Sequence, residues 1–147
     1  MISAAPIDPV ALLAAFTNAV AGAGAIASFT GLVRSDDGAV SELWLDHHPT
    51  MTEQVMAEIA GAAQARFDVS AVHITHRVGG VAAGEPIVFV AAAAQHRRAA
   101  FEAVDYIMDR LKTDAPLWKR EQRGDTKLWI EARETDHRDR ARWEVTQ

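Results

Sequence analysis

Apolar and polar positions along the chain alternate between a helical rhythm and a strand rhythm. Asp8-Pro9 predicts a helix start, because the aspartate can cap free amides and proline suits the first helical position. Val10, Leu13, Ala14 and Val20 then recur as the expected inward face, up to Gly22. Ala25 to Val33 is rich in β-branched and aromatic residues and predicts a strand. Ser35-Asp36-Asp37-Gly38 predicts a turn. In Val40 to His47, Leu43 and Leu45 are set against Glu42, Trp44 and Asp46, which predicts a second strand forming a hairpin with the first.

Thr50 and Glu53 have the spacing of a capping box, and Val55, Met56, Ile59 and Ala63 continue as a helix to about Phe67. Ala71 to Val78 predicts a strand. Gly79-Gly80 and Gly84-Glu85 bracket a short connection, and the almost wholly apolar run Pro86 to Ala94 predicts a central, buried strand. From about Arg97 to Ala115 a helix is expected, with Phe101, Val104, Met108 and Leu111 as its core stripe and Pro116 as its stop. Leu117 to Gln122 and Lys127 to Ala132 predict a hairpin around Arg123-Gly124-Asp125-Thr126. The chain is polar from Arg133 onward, and about 135–147 is expected as a fraying tail with Trp143 as a candidate anchor. Interleaved strands and helices with frequent hairpins imply an α+β fold with a mainly antiparallel or mixed sheet, in one domain spanning 1–147.

Composition narrows the chemistry. The chain of 147 residues has no cysteine, which excludes disulfides, thiol catalysis and cysteine-ligated metal on this chain and suits a reducing cytoplasm. No apolar run approaches the ~18–20 residues of a membrane span, and Met1 to Pro9 lacks the basic region of a secretory signal. The net charge is −5, unevenly spread: residues 1–95 hold three basic side chains against nine acids, and residues 96–147 hold twelve against eleven. The three lysines, Lys112, Lys119 and Lys127, fall within sixteen residues. An acidic protein that concentrates its lysines is a candidate for a local anion site, the alternative being ordinary solvated surface.

Familiar motifs fail on inspection. Gly22-Ala23-Gly24 follows a helix and opens a strand, the reverse of a dinucleotide fingerprint. Gly79 to Gly84 has the glycine spacing of a phosphate loop, but Glu85 stands where lysine is required and Pro86 offers no amide. His47 and His48 point to opposite faces of a strand, as do His73 and His76, so neither pair forms a shared metal site, and no metal or cofactor is expected.

A basic constellation remains. His96-Arg97-Arg98 begins the long helix, where free amides and the helix dipole favour an anion and make cations costly unless an anion joins them. Lys112 lies at the other end of that helix, where a cation is also ordinary stabilisation. On the following strand Lys119 and Glu121 share one face and Trp118 and Arg120 the other; Lys119 beside a carboxylate is either an oriented cation or part of a surface ion pair. Arg34 ends an apolar strand before a flexible loop. Arg97 and Lys112 are fifteen residues apart, which places their backbones about 22 Å apart on one helix. They cannot grip one small ligand within a chain, so a two-fold dimer with shared sites is expected, the helix start of one protomer near the lysines of the other.

In this order, Phe29-Thr30-Gly31-Leu32-Val33-Arg34, His48-Pro49-Thr50-Met51-Thr52-Glu53, Ala94-Gln95-His96-Arg97 with Ala100-Phe101, Tyr106 to Thr113, Ala115-Pro116-Leu117-Trp118-Lys119-Arg120-Glu121 and Trp129-Ile130-Glu131-Ala132 resemble the large, catalytic subunit of molybdopterin synthase. The resemblance covers about residues 24 to 134. It implies an α/β hammerhead-type fold with an additional antiparallel β subdomain, and a homodimer at the centre of a heterotetramer. The implied partner is a small ubiquitin-like sulfur carrier whose C-terminal Gly-Gly thiocarboxylate enters the active site. The implied substrate is cyclic pyranopterin monophosphate, which receives two sulfurs to form the dithiolene of molybdopterin. Lys112 and Lys119 match the family's catalytic lysines. Leu32, Val33 and Arg34 match a substrate-contacting segment, His96 and Arg97 match anion-binding residues given by the other protomer, and Arg120 and Glu121 match further pocket positions. Two positions depart from the family: His48 stands where tyrosine is common, and Leu32 where some members carry lysine, so position 32 is expected to act through its backbone.

The rival expectation is a non-catalytic dimeric scaffold that docks a partner's anionic tail or RNA phosphates on the same basic strip. The acidic bulk and the lack of an aromatic-basic stacking face argue against nucleic acid.

Overall fold

The computed structural model describes residues 1–144. Its twelve elements are β1 (Ile2–Ser3), α1 (Pro9–Ala19), β2 (Ala25–Leu32), β3 (Glu42–His47), α2 (Met51–Arg66), β4 (Val69–Arg77), β5 (Gly79–Ala82), β6 (Pro86–Ala94), α3 (Arg97–Thr113), β7 (Leu117–Arg123), β8 (Thr126–Ile130) and α4 (Glu134–Ala141). They form two four-stranded sheets, ordered β1-β4-β6-β2 and β5-β3-β7-β8. In the first, only the short β1 is parallel to its neighbour; every pair in the second is antiparallel. This is the expected α+β fold with a separate antiparallel subdomain. No helix among the described residues is long and apolar enough to cross a membrane.

The apolar run read as a central strand is β6, paired with β2 on one side and β4 on the other. Side chains alternate across a strand, and here both faces are covered. Val88, Val90, Ala92 and Ala94 join the main core with Ile59, Ala63, Ala103 and Ile107 of α2 and α3. Phe89, Ala91 and Ala93 form a second core with Phe16, packed by Leu12 and Leu13 of α1. The alanines let the helices approach closely, which explains a strand apolar throughout rather than alternating.

Several local expectations change in the folded chain. β2 and β3 are not a hairpin: β2 pairs with β6, and β3 lies in the other sheet between β5 and β7. The intervening segment crosses between sheets, turning at Asp36, Asp37 and Gly38 with positive φ of 47°, 55° and 87°. The Gly79–Gly84 connection contains the strand β5, paired with β3. Val10 of α1 is 80% exposed and Phe16 takes the buried place, because the helix rests on β6 through the 12, 13 and 16 positions. Along α3 the buried stripe runs through Ala100, Ala103, Val104, Ile107 and Leu111, and Phe101 is 64% exposed.

The α2 start is also capped differently. Thr50 makes no side-chain cap. Instead His48 Nδ1 accepts the Thr50 and Met51 amides at 3.3 and 3.1 Å, and Glu53 accepts the Ile2 amide at 3.1 Å. The polar tail folds in part as α4, anchored by Trp143, whose indole donates to Asp109 at 2.6 Å and stacks edge-on with Phe67 and Tyr106. Residues 145–147 of that tail lie outside the described residues.

His76, near the end of β4 and only 6% exposed, bonds the Arg77 carbonyl at 2.8 Å through Nδ1. Burial pushes its pKa down to about 4, and the nearby Lys119 charge works in the same direction. Between pH 6.5 and 4 the unfolded chain therefore binds a proton that the folded chain refuses, so stability falls as pH drops through that window. The loss amounts to about 3 kcal/mol when the window is fully crossed. Urea unfolding at pH 7 and pH 4.5 should show a smaller acid loss in His76→Gln than in the wild type; equal slopes refute this origin.

Candidate functional site

A cleft of about 560 Å³ opens where the two sheets meet the C-terminal end of α3. One wall comes from the first sheet: the end of β2 and the residues after it, through Arg34, with Ile87 and Val88 of β6. The other comes from the second sheet, with Leu43 of β3 and Leu117, Lys119 and Glu121 of β7; Met108 and Lys112 of α3 complete it, and Ala132, Arg133 and Asp136 border it. The two lysines therefore converge, although they lie on different elements. Pro116 ends α3 and turns the chain into β7, and the turn is tied down by Thr52. This fully buried residue accepts the His48 amide at 2.9 Å and donates to the Pro116 carbonyl at 3.0 Å.

Charge in the cleft is partly balanced. Lys112 Nζ lies 3.4 Å from Asp136 Oδ1. Asp136 also accepts the Arg133 amide at 2.8 Å, at the start of α4. Burial works to raise the Asp136 pKa, but the Arg133 amide and the lysine charges outweigh it and hold the carboxyl below the usual range. Lys119 is pushed below an ordinary lysine, chiefly by burial and then by the Lys112 charge, with Asp136 pulling the other way. Glu121 is held by Arg123 at 2.8 Å, and the same guanidinium reaches Asp36 at 2.6 Å. Neutral and charged forms of Lys119 are thus closer in energy than in water, which suits a group that handles developing negative charge or a proton.

The family model described as MoaE protein matches residues 2–114. The chain belongs to the MoaE family. It is 48% identical over 139 residues to the molybdopterin synthase catalytic subunit of Caulobacter vibrioides, covering 95% of this chain and 93% of that one. Among solved structures, the molybdopterin biosynthesis MoaE protein of Burkholderia ambifaria superposes with a TM-score of 0.83 at 40% identity, covering 99% of this chain and 97% of the other. A complex of subunits 1 and 2 of the molybdopterin-converting factor of Helicobacter pylori contains the same fold, with a TM-score of 0.77 at 22% identity over 90% of each chain.

Of the residues singled out in the sequence of this MoaE-family chain, Leu32, Val33, Arg34, Lys112, Lys119 and Glu121 line the one cleft. Arg120 does not. It points to the opposite face of β7, with its guanidinium 5.7 Å from the Trp44 ring and 5.1 Å from the Trp129 ring, and 3.8 Å from Asp46. His96 caps the start of α3 in extended conformation, and His96 and Arg97 are exposed at the far end of that helix from Lys112. A single chain does not bring them to the cleft. Asp136 and Arg123 were not found from sequence. The only local signal for Asp136 was an acid three residues into a helix start, hidden because the tail looked polar on every side.

In Lys112→Met the Lys119 amine should titrate at higher pH than in the wild type, and in Asp136→Asn at lower pH. Side-chain nitrogen NMR through a pH titration reads both directions, and a midpoint unmoved in both variants refutes the stated charge coupling.

Proposed function

We propose that this chain is the catalytic subunit of a molybdopterin synthase, acting in the cytoplasm. It transfers sulfur from the thiocarboxylated Gly-Gly terminus of a small ubiquitin-like carrier to cyclic pyranopterin monophosphate. The observation that carries the reading is the convergence of Lys112, Lys119 and Arg34 in one cleft of a protein whose net charge is −5. Both reactants are anions, and cations gathered at one place in an acidic protein select them by local rather than overall charge. Family membership and the name of the Caulobacter relative support the same activity. The two-subunit Helicobacter assembly supports a small partner subunit, with the fold as the shared feature.

In this reading Arg34 holds the substrate phosphate, joined by His96 and Arg97 of a second protomer. The seventeen-residue α3 keeps those two residues away from their own cleft, so a two-fold homodimer supplies them across the interface, and a carrier at each end makes a heterotetramer. Phe101, one turn from Arg97 and 64% exposed, gives such an interface an apolar contact. Lys119 neutralises charge on the tetrahedral acyl centre as sulfur leaves the carrier, and Lys112 holds the tail carboxyl or moves protons. Leu32 and Val33 shape the substrate wall, and Glu121 with Arg123 orients the strand that bears Lys119. Arg120 acts from the reverse face of that strand, where its stacking between Trp44 and Trp129 fixes the strand's position.

Lys112→Ala and Lys119→Ala should each lower turnover about 10²-fold or more, the scale of losing a preorganised charge-stabilising donor. The assay combines the chain with thiocarboxylated carrier and pyranopterin and follows the oxidised fluorescent pterin product. Near wild-type turnover by both folded variants would end the assignment of the two lysines as the catalytic groups, and no product from the wild-type chain would leave only a binding scaffold.

A further inference from the structure

The loop rejected above as a phosphate loop has a different use. Arg77 closes β4 with its side chain only 9% exposed. Its Nη1 donates to Glu85 Oε2 at 2.8 Å and its Nη2 to the Gly80 carbonyl at 3.1 Å, while its buried Nε has no partner among the described residues. Gly80 belongs to β5 in the second sheet, opposite Trp44, and Glu85 directly precedes β6 in the first. One buried guanidinium therefore braces the loop where it passes between the sheets. The main chain of that loop in turn grips the cleft wall. Gly84, turned by a φ of +88°, donates its amide to the Val33 carbonyl at 2.7 Å, and the Glu85 carbonyl accepts the Val33 amide at 3.0 Å. Both backbone polar groups of Val33 are satisfied by these two residues, and Arg34 follows at once.

Resting on the reading of the cleft as the sulfur-transfer site, we propose that Arg77 and Glu85 are positioning residues for the substrate reaction. Their ion pair sets the Gly84-Glu85 backbone, which fixes Val33 and so aims Arg34 across the cleft from the lysines. Electrostatics explains why a carboxylate is needed. A buried guanidinium whose acceptors are all neutral is left with an uncompensated charge, so it draws water or shifts toward solvent, and the loop it holds moves with it. Displacement of a positioning element by about 1 Å is enough to degrade a reaction that depends on alignment. The side chain of Glu85 is 44% exposed, so glutamine fits in its place and removes only the charge.

The test uses the full chain assembled with thiocarboxylated carrier, at a temperature well below the melting point of each variant. In Glu85→Gln the KM for the pyranopterin should rise about 10-fold while the KM for the carrier stays unchanged. Glu85→Asp, which keeps the charge, should recover part of the loss. A purely stabilising pair would lower the melting temperature and leave both KM values as in the wild type, and that result overturns the inference alone. Absence of product from the wild-type assembly overturns the functional reading and this inference with it. A measurement without any variant is available in hydrogen exchange. The Val33 and Gly84 amides should exchange as slowly as those of β6, and exchange about 100-fold faster would show that the brace does not hold.

Discussion

The structure depends on the burial of β6 on both faces. One set of its side chains packs on α2 and α3, and the alternate set on α1. A slip of one residue would exchange the two sets, putting Phe89 where alanine and valine now meet the helices, so the register is strongly specified. Only Gln95 and His96 separate β6 from α3. The position of the strand therefore sets where α3 begins, and the length of α3 sets where Lys112 ends. The cleft inherits its geometry from a hydrophobic constraint that involves none of its charged groups.

Assembling cations in a half-buried cleft is unfavourable unless something offsets their repulsion and desolvation. Here the offset is incomplete by design of the surroundings: Asp136 faces Lys112, and Arg123 occupies Glu121 and Asp36, so that the carboxylates near Lys119 are already engaged. What remains is a site between walls from two different sheets in which Arg34 and Lys119 have no ion-pair partner among the described residues. In the proposed function, anionic reactants complete that balance, and a second copy of the chain, bringing the start of its own α3, adds to it. The Arg77–Glu85 brace belongs to the same logic, since a cleft between two sheets is only as well defined as the connections that hold the sheets together.

Much of this was legible in the residues. Alternation and helical spacing located nearly every element, because local packing faces follow the 2.0 and 3.6 periods. Lys119 and Glu121 on one face of β7 and Trp118 and Arg120 on the other followed from the same rule, and the structure agrees. The errors differ in range. The β2–β3 hairpin is overruled by a strand distant in sequence, β6, the inward Val10 gives way to Phe16 of the same helix on the second core, Phe101 stays exposed, and the Thr50 cap is replaced by the His48 ring just upstream.

The amino-acid sequence by itself determined the class of fold, the buried central strand, the concentration of cations and the chemistry they suit, since these depend on residue type and short-range spacing. Tertiary structure alone decided that Lys112 and Lys119 share a cleft, that Asp136 faces one of them, that Arg120 turns away, and that a loop resembling a phosphate site braces the cleft wall instead. Those outcomes rest on contacts between residues far apart along the chain, whose distances are set by how two sheets and four helices fit together, and no local pattern encodes that fit.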